Sequence, residues 1–515
     1  MTTEPVTLKR IADVTGGKLT GDGSIVVTDV SHDSRRAGSG SLFVAVRGGL
    51  FDAHKFIPQV IEQGAVGVIS ELEPPAELTS RTGLHSGTEL QSGRGLVPAH
   101  FAWIQVENVR RAMALAAAEV HHHPSRELKL VGVTGTNGKT TTAYLIASIP
   151  EAAGEPVAMT GTVEYRLGRK RFKADRTTPE ATDMQRMLRQ AVEIGCKTAV
   201  MEASSQAMDF HRCDALEFAV AVFSNLTRDH LDYHKTMENY WYAKQRLFDG
   251  RLGTRPRTSV INLDDPYGVE LAERLKKEGL HVVSYAVRAD ADVTARNEEF
   301  SLDGMRFTLR TPHDEREFHS PLVGPPHIYN TLAAVASGLA LGYPLNVITS
   351  ALEKCTGAPG RFERVPHDGD FAVVVDYAHS DDALLNVLRT AREVTKGKII
   401  TVFGCGGDRD GSKRAPMGEA AGSLSDVVIL TSDNPRTEDP EKILADAEVG
   451  IRKTGKPYQK IADRREAIHE AISEARSNDL VLIAGKGHED YQIIGREVFH
   501  FDDKEVAREA LAQRT

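Results

Sequence analysis

The stretch Leu128 to Thr142, LKLVGVTGTNGKTTT, most constrains what this chain can fold into. Apolar and β-branched positions in LKLVGV read as a short buried strand, which runs into a glycine-rich turn and then, from Lys139, a helix-compatible segment. A strand, a glycine loop and a helix in that order form a phosphate site. Gly135 and Gly138 let the backbone approach phosphate oxygens, N–H groups at the helix N-terminus face the anion, Lys139 adds positive charge, and Thr140 or Thr141 can ligate Mg²⁺. The usual Walker spacing would put its first glycine at Val133, so only the second half of that pattern, Gly138-Lys139-Thr140, is met. The competing reading is an ordinary glycine turn. The flanking strand and helix favour a loop that holds a nucleotide triphosphate.

At 515 residues the chain has room for about three domains with sizeable cores. Its net charge of −9, with both signs interspersed, argues against a general nucleic-acid surface, so phosphate binding has to come from local sites. No stretch approaches the ~18 to 20 apolar residues of a membrane span. The N-terminal MTTEPVTLKRIADVTGG lacks the apolar core of a signal peptide, so a cytoplasmic protein without a membrane span is expected. Cys196, Cys213, Cys355 and Cys405 are too widely spaced for a disulfide framework or a zinc site, and reduced thiols are expected.

Residues 1 to about 125 read as a small α/β domain, with strands near Ile25 to Val30 and Ser41 to Val46 and a helix near Phe56 to Gln63. Within it, His32-Asp33-Ser34-Arg35 places a hydroxyl and a guanidinium just ahead of a strand, either as a capped turn or as a contact for a nucleotide diphosphate. Pro74 to Pro98 is rich in Gly, Ser, Thr and Pro and reads as a surface loop. A helix from about Arg110 stops at His121-His122-His123-Pro124, because proline cannot continue it. Adjacent histidines do not share a helix face, so this is a linker rather than a metal site.

From 126 to 356 strands alternate with helices. Lys197 to Ala203, Phe218 to Ser224 and Thr258 to Leu263 are continuous β-rich runs of the kind buried in parallel sheets. They end in Glu202-Ala203-Ser204-Ser205, in Asn225 to His230 and in Asn262 to Asp265. Ligands bind beyond the carboxyl ends of such strands, so these ends should gather around the phosphate loop. Residues 357 to 515 repeat the pattern, with strands Phe371 to Val375, Lys398 to Phe403, Asp426 to Thr431 and Leu480 to Ala484. Chemistry is expected at their loops as well: Asp376-Tyr377-Ala378-His379, Gly404 to Arg409, Asp433-Asn434-Pro435-Arg436 and Gly485-Lys486-Gly487-His488-Glu489. Glu202 and His230 can complete a Mg²⁺ site with Thr140, since Mg²⁺ takes only one or two carboxylates beside phosphate oxygens. Lys244, in the amphipathic stretch YWYAKQRLF, reads from periodicity alone as a solvated lysine.

These motifs, Gly135-Thr136-Asn137-Gly138-Lys139-Thr140-Thr141, Glu202 to Ser205, Asn225 to His234, Asp376 to His379 and Gly485 to Glu489, follow one another as in the Mur ligases, and the chain resembles that family over essentially its whole length. The resemblance implies an α/β protein of three domains. These are a small α/β N-terminal domain for the UDP substrate (1–125), a central P-loop ATPase-like parallel-sheet domain for ATP (126–356) and a C-terminal Rossmann-like α/β domain for the amino acid (357–515). It implies an ATP-dependent amide-bond ligase of peptidoglycan precursor synthesis that acts through an acyl phosphate. Asp433-Asn434-Pro435-Arg436 resembles the motif of the branch that adds meso-diaminopimelate to UDP-N-acetylmuramoyl-L-alanyl-D-glutamate, and a monomer is expected.

Carried over residue by residue, the resemblance puts ATP against Gly135 to Thr141 and, on its base and ribose side, against His327, Asn330, Arg361, Asp376 and His379. Two Mg²⁺ ions are implied, with Thr140, Glu202, His230 and a carbamylated Lys244 as ligands; Lys139, Lys244 and His230 form the catalytic set. His32, Ser34, Gly49, Leu50 and Phe51 match uridine-nucleotide contacts, and Thr177, Thr178, Ser204 and Arg212 match muramoyl-peptide contacts. Arg176 stands where relatives often have asparagine and Phe210 where they often have glutamine. Ser380-Asp381 replaces the common Thr-Pro after His379. Arg409, Asp433, Asn434, Pro435, Arg436, Gly485 and Glu489 match the diaminopimelate pocket. The alternatives are an L-lysine-adding homologue, which differs at Asp433 to Arg436, a folylpolyglutamate synthase, which lacks that motif and the first-domain nucleotide site, and a P-loop ATPase without ligation, whose ADP release would ignore the amine.

Overall fold

The computed structural model describes residues 4–48, 52–76 and 101–514. Gly49, Leu50 and Phe51, and nearly all of the expected 74–98 loop, lie outside them. The chain forms two compact units, one from residues 1–139, 149–283 and 337–344, the other from 140–148, 284–336 and 345–515.

In the first unit a five-stranded sheet takes Asp29–Ser31, Ser41–Val44, Gly67–Ser70 and Ala102–Gln105 in parallel, with Lys18–Thr20 antiparallel on the last of them. Helices Leu8–Thr15 and Val109–Val120 bury Leu8, Ile11, Met113 and a row of alanines in the same cluster as Val30, Leu42 and Ile104. Asn108 caps the second helix through Arg111 N. That helix stops at the three histidines, where His122 and His123 take positive φ values of 53° and 49° ahead of Pro124.

A second sheet in this unit orders Thr258–Asn262, Val220–Phe223, Lys129–Thr134, Thr198–Glu202 and Val157–Thr160 side by side in parallel. The strand that feeds the glycine loop is central, flanked by Val220–Phe223 and Thr198–Glu202. Its position follows from its residues: Leu130, Val131 and Val133 are buried on both faces, as a parallel strand covered by helices requires. Glu164–Leu167 and Lys170–Lys173 extend the sheet as an antiparallel hairpin that the sequence reading did not anticipate.

The second unit holds a sheet of Ala372–Asp376, Leu480–Ala484, Ile399–Phe403, Val427–Leu430 and Tyr458–Lys460 in parallel, with Glu363–Arg364 antiparallel at one edge. Arg464, fully buried, pairs both guanidinium arms with Asp503, also fully buried, at 2.7 Å and donates to Ala484 O, which braces the end of the central strand. Two antiparallel additions complete the unit: the meander Val293–Ser301, Gly304–Thr311, Asp314–Ser320, and the hairpin Tyr491–Ile494 with Glu497–His500. The four cysteines are free thiols. Among the described residues no helix is long and apolar enough to cross a membrane.

Candidate functional site

The loop after Lys129–Thr134 is folded by its glycines. Gly135 sits at φ 148°, and a Cβ there would fall 1.9 Å from Ser224 Oγ; Gly138, at φ 87°, caps the helix Lys139–Ala152. The loop is tied to the neighbouring strand end. Thr136 N donates to Asn225 O at 2.8 Å, Asn137 N to Asn225 Oδ1 at 2.9 Å, and Ser224 Oγ to Asn137 O at 2.7 Å. Lys139 Nζ folds back onto Gly135 O and Thr136 O at 2.9 and 2.8 Å. Thr140 and Thr141 follow in the first helical turn and are buried.

Lys244 departs most from the residue-level reading. Instead of being solvated it is buried at 1% exposure, and its Nζ donates to the same Gly135 carbonyl at 2.7 Å. Helix Met237–Gln245 turns this side chain inward, and the Tyr240 ring lies 4.5 Å from the amine while its hydroxyl pairs with Thr136 Oγ1 at 3.2 Å. Burial pushes the Lys244 amine well below the ordinary lysine value, the nearby Lys139 charge acts in the same direction, and Asp229 opposes them. Burial thus favours the neutral form of the amine, which is the nucleophilic one.

Glu202, at the end of its strand, is buried, accepts from Thr162 N at 2.7 Å and from Thr162 Oγ1 at 3.2 Å, and abuts Gly161, where a Cβ would come 2.4 Å from Oε1. His230 takes φ 53° ahead of the short helix Leu231–His234; its side chain is half-exposed and lies 3.4 Å from Asp229, and desolvation holds its imidazole below the usual value. Among the described residues no group of three or more His, Cys, Asp or Glu side chains could hold a metal by itself. The Glu202 carboxylate at its strand end is an oxygen donor of the kind Mg²⁺ takes beside waters and phosphate.

Around the same strand end, Thr178 Oγ1 donates to Glu202 O at 2.7 Å and to Ser204 Oγ at 3.3 Å, and Ser204 caps helix Ser205–Asp209. Thr177 pairs with Thr162 at 3.1 Å. Arg212 Nη2 meets Glu180 at 2.8 Å and its Nη1 donates to Thr178 O, so the guanidinium is fixed beside Thr178. Phe210 is sandwiched between Arg110 and Arg212, with ring-to-cation distances of 5.0 and 5.7 Å, and meets Tyr233 edge-on. A ring here stacks cations where an amide would hydrogen-bond. His32 Nδ1 pairs with Thr182 Oγ1 at 2.8 Å, and Ser34 is buried. His32 and Arg176 line a cleft of about 490 Å³ with Arg35, Arg36, Lys173 and Arg186. Asp33, Asp175, Glu180 and Asp183 line it as well, and Asp33, Glu180 and Asp183 pair with these arginines, so the cleft carries both signs of charge.

In the second unit, His327 and Asn330 share one helix face, Pro325–Ala340, with Asn330 Nδ2 3.3 Å from His327 Nδ1 and Thr142 Oγ1 3.2 Å from Asn330 Oδ1. Burial, then Arg361, lowers the His327 imidazole to about 4, so it is neutral. Asp376 accepts from Phe362 N and Ala378 N at 2.7 and 2.8 Å; burial raises its carboxyl, and Arg361 opposes the rise. Arg361 lies 4.7 Å over the Tyr377 ring, and His379 Nδ1 is 2.9 Å from Tyr377 O. Ser380 caps helix Asp381–Val394, so the departure from Thr-Pro leaves an ordinary helix start.

The loops at the far strand ends also converge. Asn434 Nδ2 donates to Glu489 Oε2 at 3.1 Å and its Oδ1 accepts from Ile493 N, while Pro435 leads into Arg436 at φ 51°. Arg436 Nη1 donates to Gly407 O at 2.8 Å. A Cβ on Gly406 would lie 3.1 Å from Arg436 Nη1 and 3.7 Å from Arg409 Cγ, which places both arginines over one glycine. Gly485, at φ 122°, leaves room for Asp433, whose Oδ2 would stand 3.2 Å from a Cβ there. Burial, then Asp433, raises the Glu489 carboxyl. Between them sits Lys486, fully buried, which sequence reasoning passed over although it lies inside a quoted motif. Two flanking glycines after an all-apolar strand were the available signal.

The family profile for the Mur ligase middle domain matches residues 133–338, and that for the Mur ligase glutamate ligase domain matches 360–487. The chain is 45% identical over 517 residues to the UDP-N-acetylmuramoyl-L-alanyl-D-glutamate--2,6-diaminopimelate ligase of Geobacter metallireducens, covering 97% of this chain and 96% of that one. It is 44% identical to the protein of that name from Geobacter sulfurreducens, over 97% of each. A solved structure of a UDP-N-acetylmuramoyl-L-alanyl-D-glutamate--2,6-diaminopimelate ligase superposes with a TM-score of 0.68 at 33% identity, covering 99% of this chain and all of the other. Two profiles spanning the phosphate loop and the far strand-end loops, and relatives that align from end to end, leave one conclusion: the chain belongs to the Mur ligase family.

Proposed function

We propose that this chain is the ATP-dependent ligase that adds meso-2,6-diaminopimelate to the D-glutamyl γ-carboxylate of UDP-N-acetylmuramoyl-L-alanyl-D-glutamate. The observation that carries this reading is 45% identity over nearly the full length to a ligase of that name, joined to strand-end loops that carry two arginines and two carboxylates. Residues 1–125, 126–356 and 357–515 serve as the UDP-substrate, ATP and amino-acid domains. The protein works in the cytoplasm as a monomer.

A free carboxylate is a poor acylating agent, so activation comes first. A γ-carboxylate oxygen attacks the γ-phosphorus of ATP, the bond to the β-phosphate oxygen breaks, and ADP leaves an acyl phosphate. The amine of diaminopimelate then attacks the acyl carbon, the carbon–oxygen bond to phosphate breaks, and the nitrogen gives up a proton. In the first step the protein positions the reactants and neutralises charge, through the loop amides of Gly135 to Thr141 and through Lys139. His327, Asn330, Arg361, Asp376 and His379 hold the base and ribose. Thr140, Glu202, His230 and a carbamylated Lys244 would hold Mg²⁺, which would supply charge neutralisation at the phosphates. His32, Ser34, Gly49, Leu50, Phe51 and Arg176 take the uridine nucleotide; Thr177, Thr178, Ser204, Phe210 and Arg212 take the muramoyl-peptide.

The test is to mix ATP, the UDP-muramoyl-dipeptide and either meso-diaminopimelate or L-lysine and to weigh the UDP-linked product. A product with diaminopimelate alone is expected; a lysine product or amine-independent ADP release would overturn the reading. Amine choice also has a residue-level expectation. Arg436, with Arg409 beside it, grips the distal carboxylate, and Asp433, Asn434, Gly485 and Glu489 form the rest of the pocket. Charge-assisted bonds contribute about 1.5 to 3 kcal/mol each, so Arg436→Ala should raise the diaminopimelate KM about tenfold or more and leave the ATP KM within a few-fold. Steady-state kinetics with each substrate varied in turn measures both, and an unchanged diaminopimelate KM removes Arg436 from the pocket.

A further inference from the structure

Lys486 Nζ has no exposed surface and lies 3.4 Å from Asp433 Oδ1, 3.3 Å from Asn434 Oδ1 and 3.7 Å from Glu489 Oε2, with the Tyr491 ring centroid at 5.5 Å. Its backbone is clamped on both sides. Gly485 N donates to Asp376 O at 3.0 Å, Gly487 packs so closely on Tyr377 that a Cβ would come 2.7 Å from the tyrosine Cβ, and Glu489 N closes the turn onto Lys486 O at 2.9 Å. The ammonium therefore points into the cluster and is spent within it. A long cationic side chain is almost never fully buried unless paired.

We infer that Lys486 is a positioning residue for the amine substrate, a shared internal counter-charge that keeps Asp433, Asn434 and Glu489 in one recognition geometry. The inference rests on the diaminopimelate reading of this pocket. Three oxygens converge on one tetrahedral ammonium, an arrangement that a planar guanidinium matches in charge but not in geometry. Burial and the neighbouring Asp433 both disfavour the charged form of Glu489. Lys486 opposes that pressure. His379, the phenols of Tyr377 and Tyr491 and the Arg464 guanidinium also face this group. Arg464 is already committed to Asp503, which leaves Lys486 as the cation placed between the two acids. A protonated Glu489 would present a donor where a substrate ammonium needs an acceptor.

The experiment compares wild type, Lys486→Met and Lys486→Arg as full-length chains, with both amine and nucleotide kinetics. Lys486→Met should raise the diaminopimelate KM about tenfold or more near neutral pH while the ATP KM stays within about threefold, and Lys486→Arg should recover part of the loss. Raising the pH should restore the Met variant further, because Glu489 without its counter-charge titrates higher and regains its acceptor charge only in base. Wild type should lack that recovery. A purely structural lysine would give a KM defect flat with pH, and that result overturns the inference, as does an unchanged KM. Should Lys486→Met fail to fold, Lys486→Gln, which keeps hydrogen bonding and drops the charge, carries the same two readouts. Wild-type turnover indifferent to diaminopimelate overturns the functional reading, whereas wild-type dependence with an unaltered variant overturns the role of Lys486 alone.

Discussion

Lys139→Ala should lower acyl-phosphate formation by about 1,000-fold or more, the scale on which removal of a phosphate-neutralising cation slows phosphoryl transfer. In the structure its Nζ rests on two carbonyls of its own loop, Gly135 O and Thr136 O. A triphosphate offers that ammonium far stronger acceptors. The substitution should not unravel the loop, because Gly135 O keeps its bond from Lys244 and the Asn225 and Ser224 contacts do not involve Lys139. A melting temperature close to wild type together with lost activity is therefore expected. Hydroxylamine trapping of the acyl phosphate and ADP release, measured on the same preparation, read the chemical step directly. A folded mutant with near-normal ADP production would show that the triphosphate lies elsewhere.

The parallel framework was legible because its strands carry their own signal. Thr198–Glu202, Val220–Phe223, Thr258–Asn262 and Leu480–Ala484 all fall within the expected apolar runs. The antiparallel additions were not, for a physical reason. Lys170–Lys173 is exposed throughout, and Val293–Ser301 is buried only over its first three residues and then carries Arg296, Glu298 and Glu299, so neither shows the continuous apolar run of a doubly covered strand. The expected helix stop at the histidines is a helix end followed by two left-handed residues.

Site residues divide along a similar line. The phosphate loop shows in sequence because glycine positions and a lysine at fixed spacing are local requirements. Lys486 does not, because its partners Asp433 and Asn434 stand more than 50 positions earlier and only the sheet brings them together. Arg176 and Phe210 look like departures in the sequence, and in the fold each has a local setting: Arg176 lies 3.8 Å from Glu180, and Phe210 stacks between two arginines.

Lys244 was read from periodicity as solvated, and the fold buries it, which is what makes its chemistry testable. Carbamylation requires a neutral amine, since a nitrogen lone pair must attack CO₂ and the new N–C bond forms as the nitrogen releases a proton. An ordinary lysine near 10.5 is almost wholly protonated at neutral pH. Here burial and the Lys139 charge both disfavour the ammonium, and the Gly135 carbonyl at 2.7 Å still accepts from the neutral amine. The product would carry a negative charge into a pocket that already holds the Lys139 cation, so the same neighbour that disfavours the ammonium favours the carbamate. Lys244→Ala should therefore lose most activity, on the order of 100-fold or more if the carbamate supplies one charge-stabilising contact in the transition state. Acetate or formate, which fit the vacated space and restore a carboxylate, should return part of it. Lys244→Arg should not, because a guanidinium keeps positive charge where a negative one is needed. Labelled bicarbonate gives an independent readout, a carbamate carbon resonance present in wild type and absent in Lys244→Ala. Full activity of Lys244→Ala, or equal loss with no response to any small carboxylate and no carbamate resonance in wild type, would leave the buried amine as a structural ligand of Gly135 alone.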